Sequence, residues 1–317
     1  DKRMNKTRVY LFTGFLESGK SSFIQDTLLE QGFGEDEKTL IIACEEGEVT
    51  FDIPALKKEN ASVEFIENEE DLNYETLLHL HQKYQPTQVM IEYNGMWDNT
   101  KFIDEICIDQ WQVVQILTTI SAETFDLYYN NMRGQFVYHI TGSDLVIVNR
   151  CDENTKKYPI RGSIKSLNPM CQIVYENKNR QIEDLTVNDL PYNLNDDYIE
   201  VNDMDYGIFC MHIMENPQIY EDKTIKIKGK VIGRDKLIEN GFVLGRQAMV
   251  CCSDDMQLLG LVCISKYAKD LIKDEWLVVD GTISLEYDES IQSNIPILHV
   301  DHLEGAKPLE NEYVTFD

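Results

Sequence analysis

The run Gly14-Phe15-Leu16-Glu17-Ser18-Gly19-Lys20-Ser21 constrains this chain more than any other stretch. It has the form GxxxxGKS/T, and its context agrees on both sides. Arg8 to Thr13 is β-branched and aromatic, as a buried strand should be, and Ser21 to Glu30 sets Phe23, Ile24 and Leu28 on one face at helical spacing. A loop between a strand end and a helix start turns successive N–H groups and the positive helix end toward a polyphosphate. Gly14 and Gly19 let the backbone curl around phosphates without a Cβ in the way. Lys20 is expected to reach the β- and γ-phosphates and Ser21 to ligate Mg²⁺. Glu17, Ser18 and Ser22 complete the expected phosphate cradle.

A chain of 317 residues with 43% hydrophobic content has room for two domains with real cores. No apolar run reaches the length of a membrane-spanning helix, and no cationic and apolar leader opens the sequence. Eight cysteines fall without a regular framework, which fits reduced thiols and a cytoplasmic location. The net charge of −27 opposes binding to phosphate backbones, so nucleic acid is not an expected partner. The acidity reads either as a solvated surface or as an attraction for cations.

Apolar runs then alternate with helical patterns. Thr39–Ala43, Val63–Ile66, Gln88–Ile91, Val113–Ile120 and Asp144–Val148 are expected strands. A helix around Leu72 to Leu80 should end before Pro86, and Ala122–Ile140 should be a helix with Ser121 as its N-cap. Several of the strands are apolar throughout, which argues for a parallel sheet covered by helices on both faces. Function should then lie at the carboxyl ends of the strands. The phosphate loop, Glu46 to Glu48, Glu92 to Gly95 and Asn149 to Asp152 all fall at such ends.

Asn149-Arg150-Cys151-Asp152 has the NKxD form of P-loop GTPases with Arg in place of Lys. In that form the Asp carboxylate accepts two hydrogen bonds from guanine. Adenine lacks that donor pair, and an unpaired buried carboxylate costs about 1–3 kcal/mol or more. Asn149 would brace the loop and the Arg150 stem would cover the base. Glu92-Tyr93-Asn94-Gly95 resembles a DxxG switch with Glu for Asp: Glu92 would hold Mg²⁺ through water and the Gly95 N–H would sense the γ-phosphate.

Taken together these segments resemble the CobW-type GTPases, P-loop proteins of metal homeostasis, over residues 8 to 175. The family's GFLGAGKTT resembles GFLESGKSS at Gly14 to Ser22, and its NEFGExxxD resembles CEEGEVTFD at Cys44 to Asp52. Its ExTGLADP resembles EYNGMWD at Glu92 to Asp98, and its ADLIVLNKxD resembles SDLVIVNRCD at Ser143 to Asp152, with a matching Gln135 before it. Its LNP resembles Leu167-Asn168-Pro169. The resemblance implies Mg²⁺-dependent GTP hydrolysis coupled to delivering or sensing a metal. It assigns Gly19, Lys20, Ser21 and Ser22 to phosphates and Mg²⁺, and Glu46 and Glu48 to a switch. Lys20, Glu48 and Glu92 become the catalytic candidates, and Ser21, Glu48 and Glu92 the metal-binding ones. The family's Cys-x-Cys-Cys motif is missing: Phe65 to Asp71 holds no cysteine. Carboxylates suit harder ions than thiolates do, so a transition metal is implied by the family without its usual ligands here.

Pro191 to Asp205 is acidic and aperiodic, as a linker would be. Beyond it short strands are expected at Gly207–Ile213, Lys223–Ile232, Phe242–Cys252, Gln257–Ile264, Glu275–Glu286 and Pro296–Leu303, with one helix at Ser265–Lys273. This pattern suggests a small OB-like barrel. The segment is similar to the soluble C-terminal domain of a bacterial membrane-protein family found with putative permeases. The likeness is carried by Lys226 to Val231, Cys251 to Asp255, Trp276 to Thr282 and Pro308 to Val314. Cys251 and Cys252 are adjacent and would point to opposite faces of a strand, which does not favour one tetrahedral metal site.

The expected architecture is therefore an α/β P-loop domain (residues 1–190), a linker (191–205) and a β-rich OB-like domain (206–317). The expected function is a GTPase with GTP or GDP and Mg²⁺ as ligands, acting as a switch for a membrane permease or a metalloprotein. The alternative is a GTP-binding scaffold with little hydrolysis. An ATPase or small-molecule kinase is disfavoured by Asn149 to Asp152.

Overall fold

The computed structural model describes residues 6–47, 49–249 and 255–316. The chain divides into two compact units, one formed by residues 1–155 with 167–184, the other by 156–166 with 185–317.

The first unit is built on β1 (Thr7–Thr13), α1 (Lys20–Leu29), β2 (Thr39–Ala43), α2 (Ile53–Lys58), β3 (Ala61–Phe65), α3 (Tyr74–Tyr84) and β4 (Gln88–Glu92). It continues through a short α4 (Asn99–Lys101) with a π turn behind it, then β5 (Trp111–Ser121), α5 (Phe125–Asn131), α6 (Arg133–Thr141), β6 (Leu145–Cys151), β7 (Gln172–Asn177) and β8 (Ile182–Glu183). The sheet order is β3-β2-β4-β1-β5-β6-β7-β8. Every pairing is parallel except β7 with β8.

Successive strand residues enter two separate cores, as a sheet covered on both faces requires. Val9, Leu11, Leu40, Ile42, Val89 and Ile91 pack with Leu77 and Leu80 of α3. Phe12, Ile41, Met90, Leu117 and Ile147 pack with Ile24 and Leu28 of α1 and Leu56 of α2. The all-apolar strand runs read from sequence are this two-sided burial.

Two expectations in this unit are corrected. Ser121 does not cap a helix; it ends β5, and the helical stretch behind it is two helices broken at Met132 (φ −131°). Asn130, Asn131 and Gly134 around that point are weak helix formers. β7 and the edge strand β8 lacked a strong sequence signal because they are half exposed.

The second unit contains α7 (Lys157–Leu167), β9 (Tyr198–Glu200), α8 (Tyr206–Glu215), β10 (Thr224–Arg234), β11 (Gly241–Met249), β12 (Met256–Ile264), β13 (Trp276–Asp288) and β14 (Ser293–Gly305). Its strands run β11-β12-β14-β13-β10-β9, and β10 also pairs with β11. That extra pairing closes five strands into a ring; β12 and β14 are parallel, and the other ring pairings are antiparallel. The core holds Ile225, Ile227, Phe242, Leu261, Val279 and Leu298, with Tyr158 of α7 and Phe209 of α8 against it.

The acidic stretch 191–205 contributes β9, which pairs parallel with the start of β10, and Ile199 and Val201 are buried. Gly207–Ile213, expected as a strand, is helical. It is buried on nearly every side, so it lacks the polar face that would show a 3.6-residue period. Ser265–Lys273, expected as a helix because Tyr267, Ala268, Leu271 and Ile272 fall at helical spacing, is a series of turns such as Ala268 N–H to Ser265 O at 3.0 Å. Cys251 and Cys252 lie outside the described residues. Among the described residues no helix is long and apolar enough to cross a membrane.

Candidate functional site

β1 sits between β4 and β5, so the loop after it opens at the middle of the sheet's carboxyl edge. Gly14 and Gly19 both hold positive φ, 127° and 99°. A Cβ on Gly14 would lie 2.4 Å from the Thr119 carbonyl oxygen, and one on Gly19 would lie 2.7 Å from the Asn149 amide nitrogen. Both positions therefore combine a left-handed conformation with a close approach that only glycine tolerates.

Neighbouring strand ends brace the loop. Ser18 Oγ and Thr119 Oγ1 are hydrogen-bonded at 2.6 Å. Asn149 Nδ2 donates to the Ser18 carbonyl (2.7 Å), and Arg150 Nη1 donates to the Glu17 carbonyl (2.9 Å). Two residues of the Asn149-to-Asp152 motif thus hold the loop from β6.

Lys20 opens α1 and is almost fully buried. Its Nζ donates to the carbonyls of Gly14 and Phe15, both at 2.8 Å, and pairs with Glu45 Oε2 at 2.6 Å. Ser21 Oγ donates to Glu92 Oε1, while Glu92 Oε2 is buried without a hydrogen-bond partner. Burial pushes the Glu92 carboxyl up from its ordinary value, against the lowering effect of the Ser21 hydrogen bond and the Lys20 charge. An orphaned buried carboxylate oxygen beside a serine hydroxyl is a donor set that suits a hard divalent cation.

The Gly95 backbone crosses the loop closely: a Cβ there would lie 2.3 Å from the Gly14 carbonyl oxygen. Its N–H points to Glu45 Oε1 at 3.3 Å, and Gln135 Nε2 of α6 donates to the Met96 carbonyl at 3.1 Å. A cavity of about 60 Å³ lies over the loop, walled in part by Lys20, Ser21, Glu45, Glu92 and Arg150. A larger one of about 280 Å³ adjoins it, sharing Gly19, Ser22 and Arg150 and extending to Asp26, Glu176, Lys178 and Arg180.

Of the residues singled out in sequence, Gly14, Ser18, Gly19, Lys20, Ser21, Ser22, Glu92, Gly95, Asn149 and Arg150 gather at this mouth. Asp152 stands at its margin, where Lys178 pairs with it at 3.0 Å and holds its carboxyl below the usual range; the Asn154 N–H also bonds to it. Glu46 is exposed, and Glu48 lies outside the described residues. Glu45 was not singled out in sequence: the run Cys44-Glu45-Glu46-Gly47-Glu48 offers three carboxylates, and only the fold selects the one beside Lys20. Cys44 is buried, and burial together with the Glu92 and Glu45 carboxylates pushes its thiol up, away from the thiolate a soft metal needs. Among the described residues no group of three or more His, Cys, Asp or Glu side chains is disposed to hold a metal ion.

Residues 8–175 match the CobW/HypB/UreG nucleotide-binding domain, and residues 176–315 match the DUF1980 C-terminal domain. No curated protein matches the chain. Among solved structures, a zinc-bound triple mutant of the YjiA GTPase is similar over 98% of this chain and 92% of its own, at 16% identity and a TM-score of 0.43. The hydrogenase maturation factor HypB from Archaeoglobus fulgidus is similar over 55% of this chain and 82% of its own, at 14% identity and a TM-score of 0.38. A small single-stranded DNA-binding protein from Streptomyces coelicolor is similar over 26% of this chain and 93% of its own, at 13% identity and a TM-score of 0.19.

Proposed function

The chain belongs to the CobW/HypB/UreG nucleotide-binding family through residues 8–175, and from that premise we propose that it is a Mg²⁺-dependent GTPase with slow intrinsic turnover, working as a nucleotide-driven switch. The observation that carries this is the convergence of Lys20, Ser21, Glu92 and Gly95 on one mouth, with Glu92 Oε2 buried and unpaired.

In this reading the loop N–H groups and Lys20 bind the β- and γ-phosphates, and the Gly95 N–H donates to the γ-phosphate. Ser21 and Glu92 would hold Mg²⁺, which supplies neutralisation of phosphate charge. Asn149 keeps the loop in shape, the Arg150 stem covers the base, and Asp152 accepts from guanine once Lys178 gives way. Glu48 remains the proposed catalytic switch carboxylate. Slow turnover is expected because the loop Gly14 to Ser21 carries no arginine that could act as a finger.

We read the closed five-strand ring of the second unit as an OB-type interaction module, with a permease or a metalloprotein as its client. A cytoplasmic setting and a link to metal homeostasis belong to the same proposal. The second reading, a GTP-binding scaffold with little hydrolysis, is favoured by the same lack of an arginine in the loop. Single-turnover GTP hydrolysis with and without Mg²⁺ separates them. Product formed only with Mg²⁺ supports the GTPase; stoichiometric GTP binding with no product over hours supports the scaffold.

A further inference from the structure

We propose that the Glu45 carboxylate is a built-in surrogate for the γ-phosphate, so that GTP, and not GDP, must expel it from the site. This rests on the GTP reading above. An ammonium has three protons to donate. Two from Lys20 go to the Gly14 and Phe15 carbonyls, and the third direction is taken by Glu45 Oε2 at 2.6 Å. The other Glu45 oxygen accepts the Gly95 N–H at 3.3 Å. One carboxylate, itself nearly buried at 10% side-chain exposure, therefore engages both Lys20, which the β- and γ-phosphates would share, and the Gly95 N–H, which is assigned to the γ-phosphate alone.

A phosphate and a carboxylate cannot share these donors. Both are anionic, and close like charges in a desolvated site repel strongly. The residue before Glu45 is anchored: the Cys44 N–H donates to the Glu92 carbonyl (2.9 Å), and the Asn94 amide donates to the Cys44 carbonyl (3.3 Å). The residues after it are not: Glu46 and Gly47 are exposed, and a Cβ on Gly47 would meet nothing within 4 Å. Expulsion can therefore swing the Glu45 side chain, with Glu46 and Gly47 after it, while the strand end stays fixed. GDP, which has no γ-phosphate, leaves the carboxylate on the Gly95 N–H. The nucleotide state is thereby written into the position of the segment after β2.

Apparent affinity falls by the fraction of molecules in which the site is free. Binding of GDP and of a non-hydrolysable GTP analogue, each with Mg²⁺, should be measured for the parent, Glu45→Gln and Glu45→Asp. Glu45→Gln should tighten the GTP analogue about tenfold or more and GDP about threefold or less, since a neutral amide competes poorly for Lys20. Glu45→Asp keeps the charge on a shorter stem and guards against a folding defect; it should shift the analogue in the same direction by a smaller factor. Equal shifts for both nucleotides, or weaker binding of the analogue in both variants, would overturn the surrogate role while leaving the GTP reading intact. Failure of the parent to bind either nucleotide would overturn both.

Discussion

His139 supplies a quantitative test of how the phosphate loop is packed. The ring lies on α6, only 4% exposed, edge-on to Phe15 of the loop at 5.0 Å between centroids. Burial, and secondarily the Lys20 charge, push its imidazole down from 6.5 to about 4; a hydrogen bond to the Gly95 backbone opposes them. The folded protein thus keeps His139 neutral where the unfolded chain would protonate it. A depressed folded-state value means that stability is full above pH ~6.5 and is lost as pH falls toward ~4. A gap of about 2.5 units, at 1.36 kcal/mol per unit, limits the total loss to about 3 kcal/mol, of which about 2 kcal/mol is gone at pH 5. Urea unfolding of the parent and of His139→Gln at several pH values isolates this contribution, because the other titrating groups are common to both. The variant should lose less stability on acidification, by about 2 kcal/mol between pH 8 and pH 5. Parallel pH profiles would refute the buried, neutral ring.

The remaining predictions concern the mouth itself. Lys20→Ala should weaken GTP binding by about a hundredfold or more while the far-ultraviolet circular dichroism of the fold persists; unchanged affinity in a fluorescent-GTP titration would remove Lys20 from the phosphate site. Asp152→Asn should erode the preference for guanosine and favour xanthosine nucleotides, measured by competition; an unaltered base preference would mean that Asp152 stays with Lys178 and never reads the base. Gly95→Ala places a Cβ 2.3 Å from the Gly14 carbonyl oxygen, so it should lower stability by about 1–3 kcal/mol and loosen the loop. A melting temperature equal to the parent's would show that the two backbones are not packed so closely.

What could be read in the sequence was whatever a short stretch determines by itself. The phosphate loop is such a stretch, because its glycines, lysine and serine act through adjacent backbone. The strand runs of the inner strands β2 and β4 were legible because each is buried on both faces. What could not be read depends on pairings between distant segments. Lys20 meets Glu45 only because β2 and β1 both flank β4. Ser18 meets Thr119, and Thr13 Oγ1 meets Thr118 Oγ1 at 2.8 Å, only because β5 lies beside β1. In the second unit, α8 hid as a strand because its neighbours cover almost its whole circumference. The turns at Ser265–Lys273 looked helical because Tyr267, Ala268, Leu271 and Ile272 fall on one face at helical spacing, which does not by itself make a short segment helical.

Titration calorimetry of GTP and ATP with Mg²⁺ shows whether this mouth holds guanosine triphosphate. GTP should bind at least about tenfold more tightly than ATP, roughly 1.4 kcal/mol, because adenine leaves the Asp152 carboxylate without its two donors. Equal binding of the two nucleotides, or tighter binding of ATP, would mean that Asp152 does not read guanine.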